Sequence, residues 1–123
     1  MEMKVDILDN GVHHIELDGA FDIKGAADVD LRFATLAGST TQILVDMSKV
    51  ASLASIGIRT LLINARVVKR RGGTFVLAAA QPMVSRALET AGITDLIPTY
   101  PDVASAIQAF GSEGGAATSV PQP

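Results

Sequence analysis

The stretch DMSKVASLASIGIRTLL, Asp46 to Leu62, reads as a strand running out through a loop into a helix. The run TQILVDMS just before and into it has strand length and apolar residues in unbroken succession, as suits a parallel strand buried on both faces. After it, SIGIRTLLINARVVKRRGG brings Ile58, Leu61, Leu62, Ala65 and Val68 to one helical face. Lys69, Arg70 and Arg71 fall in the last turn, where they complement the negative end of the helix dipole, and Gly72-Gly73 ends the helix. A strand feeding a helix in this way is half of a βαβ unit, and it sets the class to α/β.

Working upstream, MKVDILDNGVHHIELDG has the alternation of a β-hairpin. Val5 and Ile7 precede the Asn10-Gly11 turn, and Val12, Ile15 and Leu17 follow it. FDIKGAADVDLRFATLAG predicts a first helix with Ala27, Leu31, Ala34 and Leu36 inward and Gly38 as its C-cap. Downstream, TFVLAAA is a second buried strand. QPMVSRALETAG is a short helix with Pro82 in its first turn and Gly92 at its end. LIPTY suits a short edge strand limited by Pro98, and PDVASAIQAF a last amphipathic helix opened by Pro101. The order is β-β-α-β-α-β-α-β-α. It predicts one domain over residues 1–110, a mixed sheet of about four to five strands packed with about four helices. GSEGGAATSVPQP, residues 111–123, has no apolar periodicity and is expected to be a disordered tail.

A chain of 123 residues has room for one core. Hydrophobic residues make up 48% and aromatic ones 4%, so Val, Ile, Leu and Ala must fill the interior and few rings remain to stack on bases. The formal net charge of −3 would repel a phosphate backbone, which argues against nucleic acid as a partner. The absence of cysteine removes disulfides, thiolate metal sites and cysteine nucleophiles, and fits a cytoplasmic protein. MEMKVDILDNG lacks the basic flank and apolar core of a signal peptide. No apolar run nears the roughly 20 residues that span a bilayer, so membrane insertion is not expected.

Open α/β sheets place sites beyond the carboxyl ends of their strands. Ser52 and Ser55 stand at such a mouth. Ser55 could cap the helix, or it could carry a phosphate that the free N–H groups and the dipole would stabilise. As a nucleophile it lacks a base, since the only histidines, His13 and His14, sit on the hairpin and no G-x-S-x-G elbow is present. Being adjacent on a strand, those histidines point to opposite faces and cannot chelate one metal. Asp22 is expected to cap or turn into the first helix. Asp46, beside the serine loop, could anchor that loop by accepting backbone hydrogen bonds. The basic cluster Lys69-Arg70-Arg71 reads as a solvated helix end, and RRGG is no Walker loop. No enzymatic activity, cofactor or metal is expected.

The blocks IELDGAFD, ILVDMSKVASLASIGIRTLL, KRRGGTFVLAAA and the closing L...GI..LIP.Y pattern, in this order over about residues 3 to 110, resemble the STAS domain of bacterial anti-sigma factor antagonists. The resemblance implies a small non-enzymatic α/β domain. Such a domain binds an anti-sigma factor, often an ATP-dependent serine-protein kinase, and so releases a sigma factor for transcription. The kinase phosphorylates a hydroxyl at the start of the second helix and a serine phosphatase reverses it. Aligned on Gly57, the phosphoacceptor is Ser55. Ala54 stands where the family often has Asp, and Ile56 where it has a second hydroxyl.

The resemblance further implies a partner-binding surface over the loop Lys49 to Ser55 and the exposed face of the next helix, with Asp22, Lys49, Ser52, Ala54, Ile56, Gly57 and Arg59. Two other readings remain. One is a STAS scaffold or a subunit of a transport or signalling complex, never phosphorylated, in which Ser55 only caps. The other is an α/β domain that takes a small anionic ligand at the helix N-terminus.

Overall fold

In the computed structural model, which describes residues 1–117 and side chains through residue 110, the hairpin forms as the alternation requires. Strands β1 (Glu2–Ile7) and β2 (His13–Phe21) are antiparallel, and Gly11 takes the left-handed conformation that the turn needs, with φ +85°. Helix α1 (Ile23–Ser39), β3 (Gln42–Leu53), α2 (Ser55–Arg70), β4 (Thr74–Ala78), α3 (Pro82–Thr90), a 3-10 turn (Ile93–Asp95), β5 (Thr99–Tyr100) and α4 (Val103–Ala117) follow. The sheet order is β1-β2-β3-β4-β5, and every pair after the hairpin is parallel. The fold is α/β with a mixed five-stranded sheet and four α-helices, as expected. Of the tail expected over residues 111–123, residues 111–117 continue helix α4, and 118–123 lie outside the described residues.

Two cores explain the unbroken apolar runs. On one sheet face Ile43, Val45 and Met47 of β3 and Phe75 and Leu77 of β4 pack under α1, α2 and α3. Leu44, Val76 and Ala78 alternate to the other face, beneath Ala106 and Phe110 of α4. Asp102 starts α4 by accepting the Ser105 N–H at 2.7 Å.

Helix α1 corrects the expected orientation. Ala26, Val29, Phe33 and Ala37 are buried, while Ala27 and Ala34 are exposed and Leu31 is 83% exposed. Both sets recur at helical spacing; Phe33, stacked on Phe75 at 6.1 Å between ring centroids, decides which one faces the sheet. Gly38 lies within the helix and Thr40 is the C-cap. Arg71 is not merely a solvated cation. Its Nη1 donates to the carbonyls of Ala37 and Thr40, both at 2.9 Å, and so closes the C-terminal end of α1.

Candidate functional site

Strand β3 runs past the point where a loop was expected and continues to Leu53. Its pairing with β4 stops at Asp46, opposite Ala78. From there it is held by β2 alone, and the register shifts between Glu16 and Asp18 and between Gly19 and Ala20. Each shift marks an extra residue on β3, a bulge that re-aims the strand. Asp46 secures the first. Its Oδ1 accepts the Ser48 N–H at 3.0 Å and its Oδ2 lies 3.0 Å from His14 Nε2. Burial works against a charge on Asp46. The Ser48 N–H and hydroxyl and the neighbouring His14 ring outweigh it, holding the carboxyl below its ordinary range. His13 faces away, with Nδ1 3.1 Å from the Thr40 hydroxyl. The two rings therefore have separate partners. Gln81, ahead of α3, donates from Nε2 to the Ser48 carbonyl at 2.9 Å and ties the open edge of β3 to the β4 side.

Helix α2 begins directly from β3. Ala54 is its N-cap, extended at φ −93° and ψ 168°, and no side chain caps the helix. Ser55 is therefore the first helical residue, one position too late to cap. The cap reading of Ser55 does not hold. Its hydroxyl is exposed and makes no hydrogen bond among the described residues. Ala54 donates its N–H to the Phe21 carbonyl at 3.0 Å, and the Gly57 and Ile58 N–H groups return to the Ala54 carbonyl at 3.0 and 3.1 Å. The N–H groups of Ser55 and Ile56 have no acceptor among the described residues. These are orphan donors at the positive end of a helix dipole, beside a free hydroxyl. Such a place favours an added anion.

The other expected residues surround this point unequally. Asp22 is next to Phe21 and caps α1, accepting the Gly25 N–H at 2.9 Å. Lys49 is exposed on β3 with its Nζ 3.4 Å from Glu16 Oε1. Ser52 and Ala54 are exposed on the approach to Ser55, and Arg59 is exposed one turn beyond it. Ile56 is half-buried. Gly57 is buried, and a Cβ there would lie 2.6 Å from the Phe21 carbonyl oxygen and 2.9 Å from Leu53 Cδ1, so the position serves close approach of helix to sheet and presents no side chain. Phe21, fully buried at the end of β2, was not singled out in the sequence; its aromatic ring before an Asp was the available signal. No group of three His, Cys, Asp or Glu side chains among the described residues could hold a metal ion. No helix among them is long and apolar enough to cross a membrane.

With this geometry in view, the model of the STAS domain matches residues 7–106. No curated protein matches the sequence. Among solved structures, the chain is similar to an anti-sigma factor antagonist from Mycobacterium paratuberculosis, at 26% identity and a TM-score of 0.79, covering 88% of this chain and 92% of that one. The Bacillus cell fate determinant SpoIIAA in its phosphorylated form aligns at 16% identity and a TM-score of 0.68, over 88% of this chain and 98% of its own. The STAS domain of a SulP transporter from Vibrio cholerae aligns at 23% identity and a TM-score of 0.69, over 84% and 82%. The last two likenesses are likenesses of fold.

Proposed function

The chain belongs to the STAS domain family, and from that premise we propose that it is an anti-sigma factor antagonist switched by phosphorylation of Ser55. It is a binding module with no reaction of its own, and it regulates sigma-factor-dependent transcription in the cytoplasm. Its partner is an anti-sigma factor with serine-protein kinase activity, and a serine phosphatase resets it. The observation that carries this reading is the bare Ser55 hydroxyl at the uncapped start of α2, beside two backbone N–H groups without an acceptor. The similar antagonist from Mycobacterium paratuberculosis, at 26% identity, supports the antagonist role.

Charge supplies the mechanism. A phosphate on Ser55 adds roughly −1.5 to −2 units at pH 7. The free N–H groups and the dipole of α2 offset that charge inside the domain, so the fold survives modification. A partner packed over Lys49, Ser52, Ala54 and Arg59, with Asp22 at the margin, has to desolvate the dianion. A penalty of about 3 kcal/mol weakens such a complex more than a hundredfold.

Intact-mass spectrometry after incubation with ATP and the anti-sigma kinases of the same organism tests the reading. One phosphate mapped to Ser55 is expected, together with loss of kinase binding in Ser55→Asp and its retention in Ser55→Ala. Stable complexes without any phosphate, and equal affinities for wild type and both variants, would instead favour a constitutive scaffold.

A further inference from the structure

The outer face of α2 has an organisation that a switch at Ser55 does not require. Arg59, Ile63, Arg66 and Arg70 follow at intervals of four, three and four and so form one line along the helix. All four are exposed, Ile63 by 46% at the centre of the line. None of the three arginines forms a salt bridge among the described residues. No acidic residue occurs in α2, although the chain as a whole is net negative at −3. Beside the line, Ala34 and Asp30 of α1 face Ile56, Arg59, Thr60, Ile63 and Asn64 across a depression of about 280 Å³. Asn64 is 5% exposed there and donates Nδ2 to the Thr60 carbonyl at 2.8 Å. Its Oδ1 has no partner among the described residues, an unusual state for a buried amide.

We infer that this face, from Arg59 to Arg70 and over the α1–α2 depression, is a docking surface for an acidic amphipathic helix of a partner protein. The line is about 16 Å long at 1.5 Å per residue, which a partner helix of three turns matches with carboxylates opposite the arginines and an aliphatic residue opposite Ile63. The aliphatic walls of Ala34, Ile56 and Ile63 take that apolar residue. A bilayer is a poorer match, because a flat surface leaves a concave, amide-lined depression unfilled and the line itself presents a single aliphatic side chain. Arg66 and Arg70 lie about three and four turns from Ser55, so the surface extends well past the phosphoacceptor. The inference rests on the arginine line and the depression, independently of whether Ser55 is modified.

The test is an NMR titration of the 15N-labelled full chain with a synthetic helical peptide of about 18 residues, Glu and Leu spaced to match. A scramble of the same composition and vesicles of phosphatidylglycerol and phosphatidylcholine serve as the comparison arms. Amide shifts centred on Arg59–Arg70, Ala34 and Asn64 are expected, with binding at least about tenfold weaker for the scramble and about tenfold weaker for Arg66→Glu/Arg70→Glu. Binding should also weaken on going from about 50 to 500 mM NaCl. Shifts elsewhere, equal binding of the scramble, binding to the vesicles alone, or concentration-dependent shifts of the same residues without peptide would each overturn it. Because the double variant leaves Ser55 and its first turn intact, its phosphorylation measured in parallel separates a failure here from a failure of the switch.

Discussion

The starts of α1 and α2 are built alike and finished differently. Both helices leave the carboxyl end of a parallel-paired strand, and both press a glycine against the end of β2. A Cβ on Gly25 would lie 2.1 Å from the Ala20 carbonyl oxygen, and one on Gly57 would lie 2.6 Å from that of Phe21. The first turn of α1 is closed by Asp22, whose carboxylate takes the Gly25 N–H. At α2 the same position is Ala54, which has nothing to offer, and Ser55 follows with its hydroxyl free. The cap that stabilises one helix is missing from the other. The uncapped end gives up about 1 kcal/mol of local stability and keeps its donors available, as the switch proposed at Ser55 requires.

Several substitutions would break or sharpen this contrast. Phe21 is fully buried and its ring lies against Gly57 at the start of α2, so Phe21→Ala should cost the most, about 4 kcal/mol in urea unfolding. Gly57→Ala should cost about 3 kcal/mol, because the contacts it meets are the Phe21 backbone and ring and cannot swing away. A neutral effect there would show that α2 can slide off the sheet. Asp46→Asn should cost about 2 kcal/mol near neutral pH, by weakening the bonds to Ser48 and His14.

That loss should depend on acidity. The Asp46 carboxyl titrates lower when folded, so its stabilisation is complete above the unfolded value of about 3.9 and disappears as pH falls through the folded one. The gap between wild type and variant should therefore close on acidification below about pH 4, as thermal melts at stepped pH would register. The smallest effects are a matched pair of opposite sign. Asp22→Ala should destabilise by about 1 kcal/mol, whereas Ala54→Asp should stabilise by somewhat less, giving α2 the cap that α1 already has. If both substitutions destabilise, the geometry at Ala54 is not that of an empty cap.

Local chemistry made much of this legible. The hairpin was readable from its alternation and Asn10-Gly11, the first helix start from Asp22, and α2 from its spacing and its glycine stop. The inward face of α1 was not. Its residues form two helical stripes, and neither Leu31 nor Phe33 is inward until the sheet stands beside it. The reach of β3 was also hidden, because SKVAS carries the polarity of a loop; only its pairing with β2, bulges included, makes it a strand. Ser55 was legible as a serine at a helix mouth, yet its cap role was misjudged by one residue, a shift that helix boundaries read from sequence do not resolve.

By itself the sequence determined the order of elements, the α/β class and the hydroxyl at the start of the second helix, since these follow from periodicity, turn chemistry and neighbouring residues. The tertiary structure alone decided that Asp46 meets His14, that Arg71 closes α1, that Asn64 borders a depression with Ala34, and that Ser55 is left unbonded. Each of those depends on groups far apart in the chain, whose distances are set when the two faces of the sheet are packed.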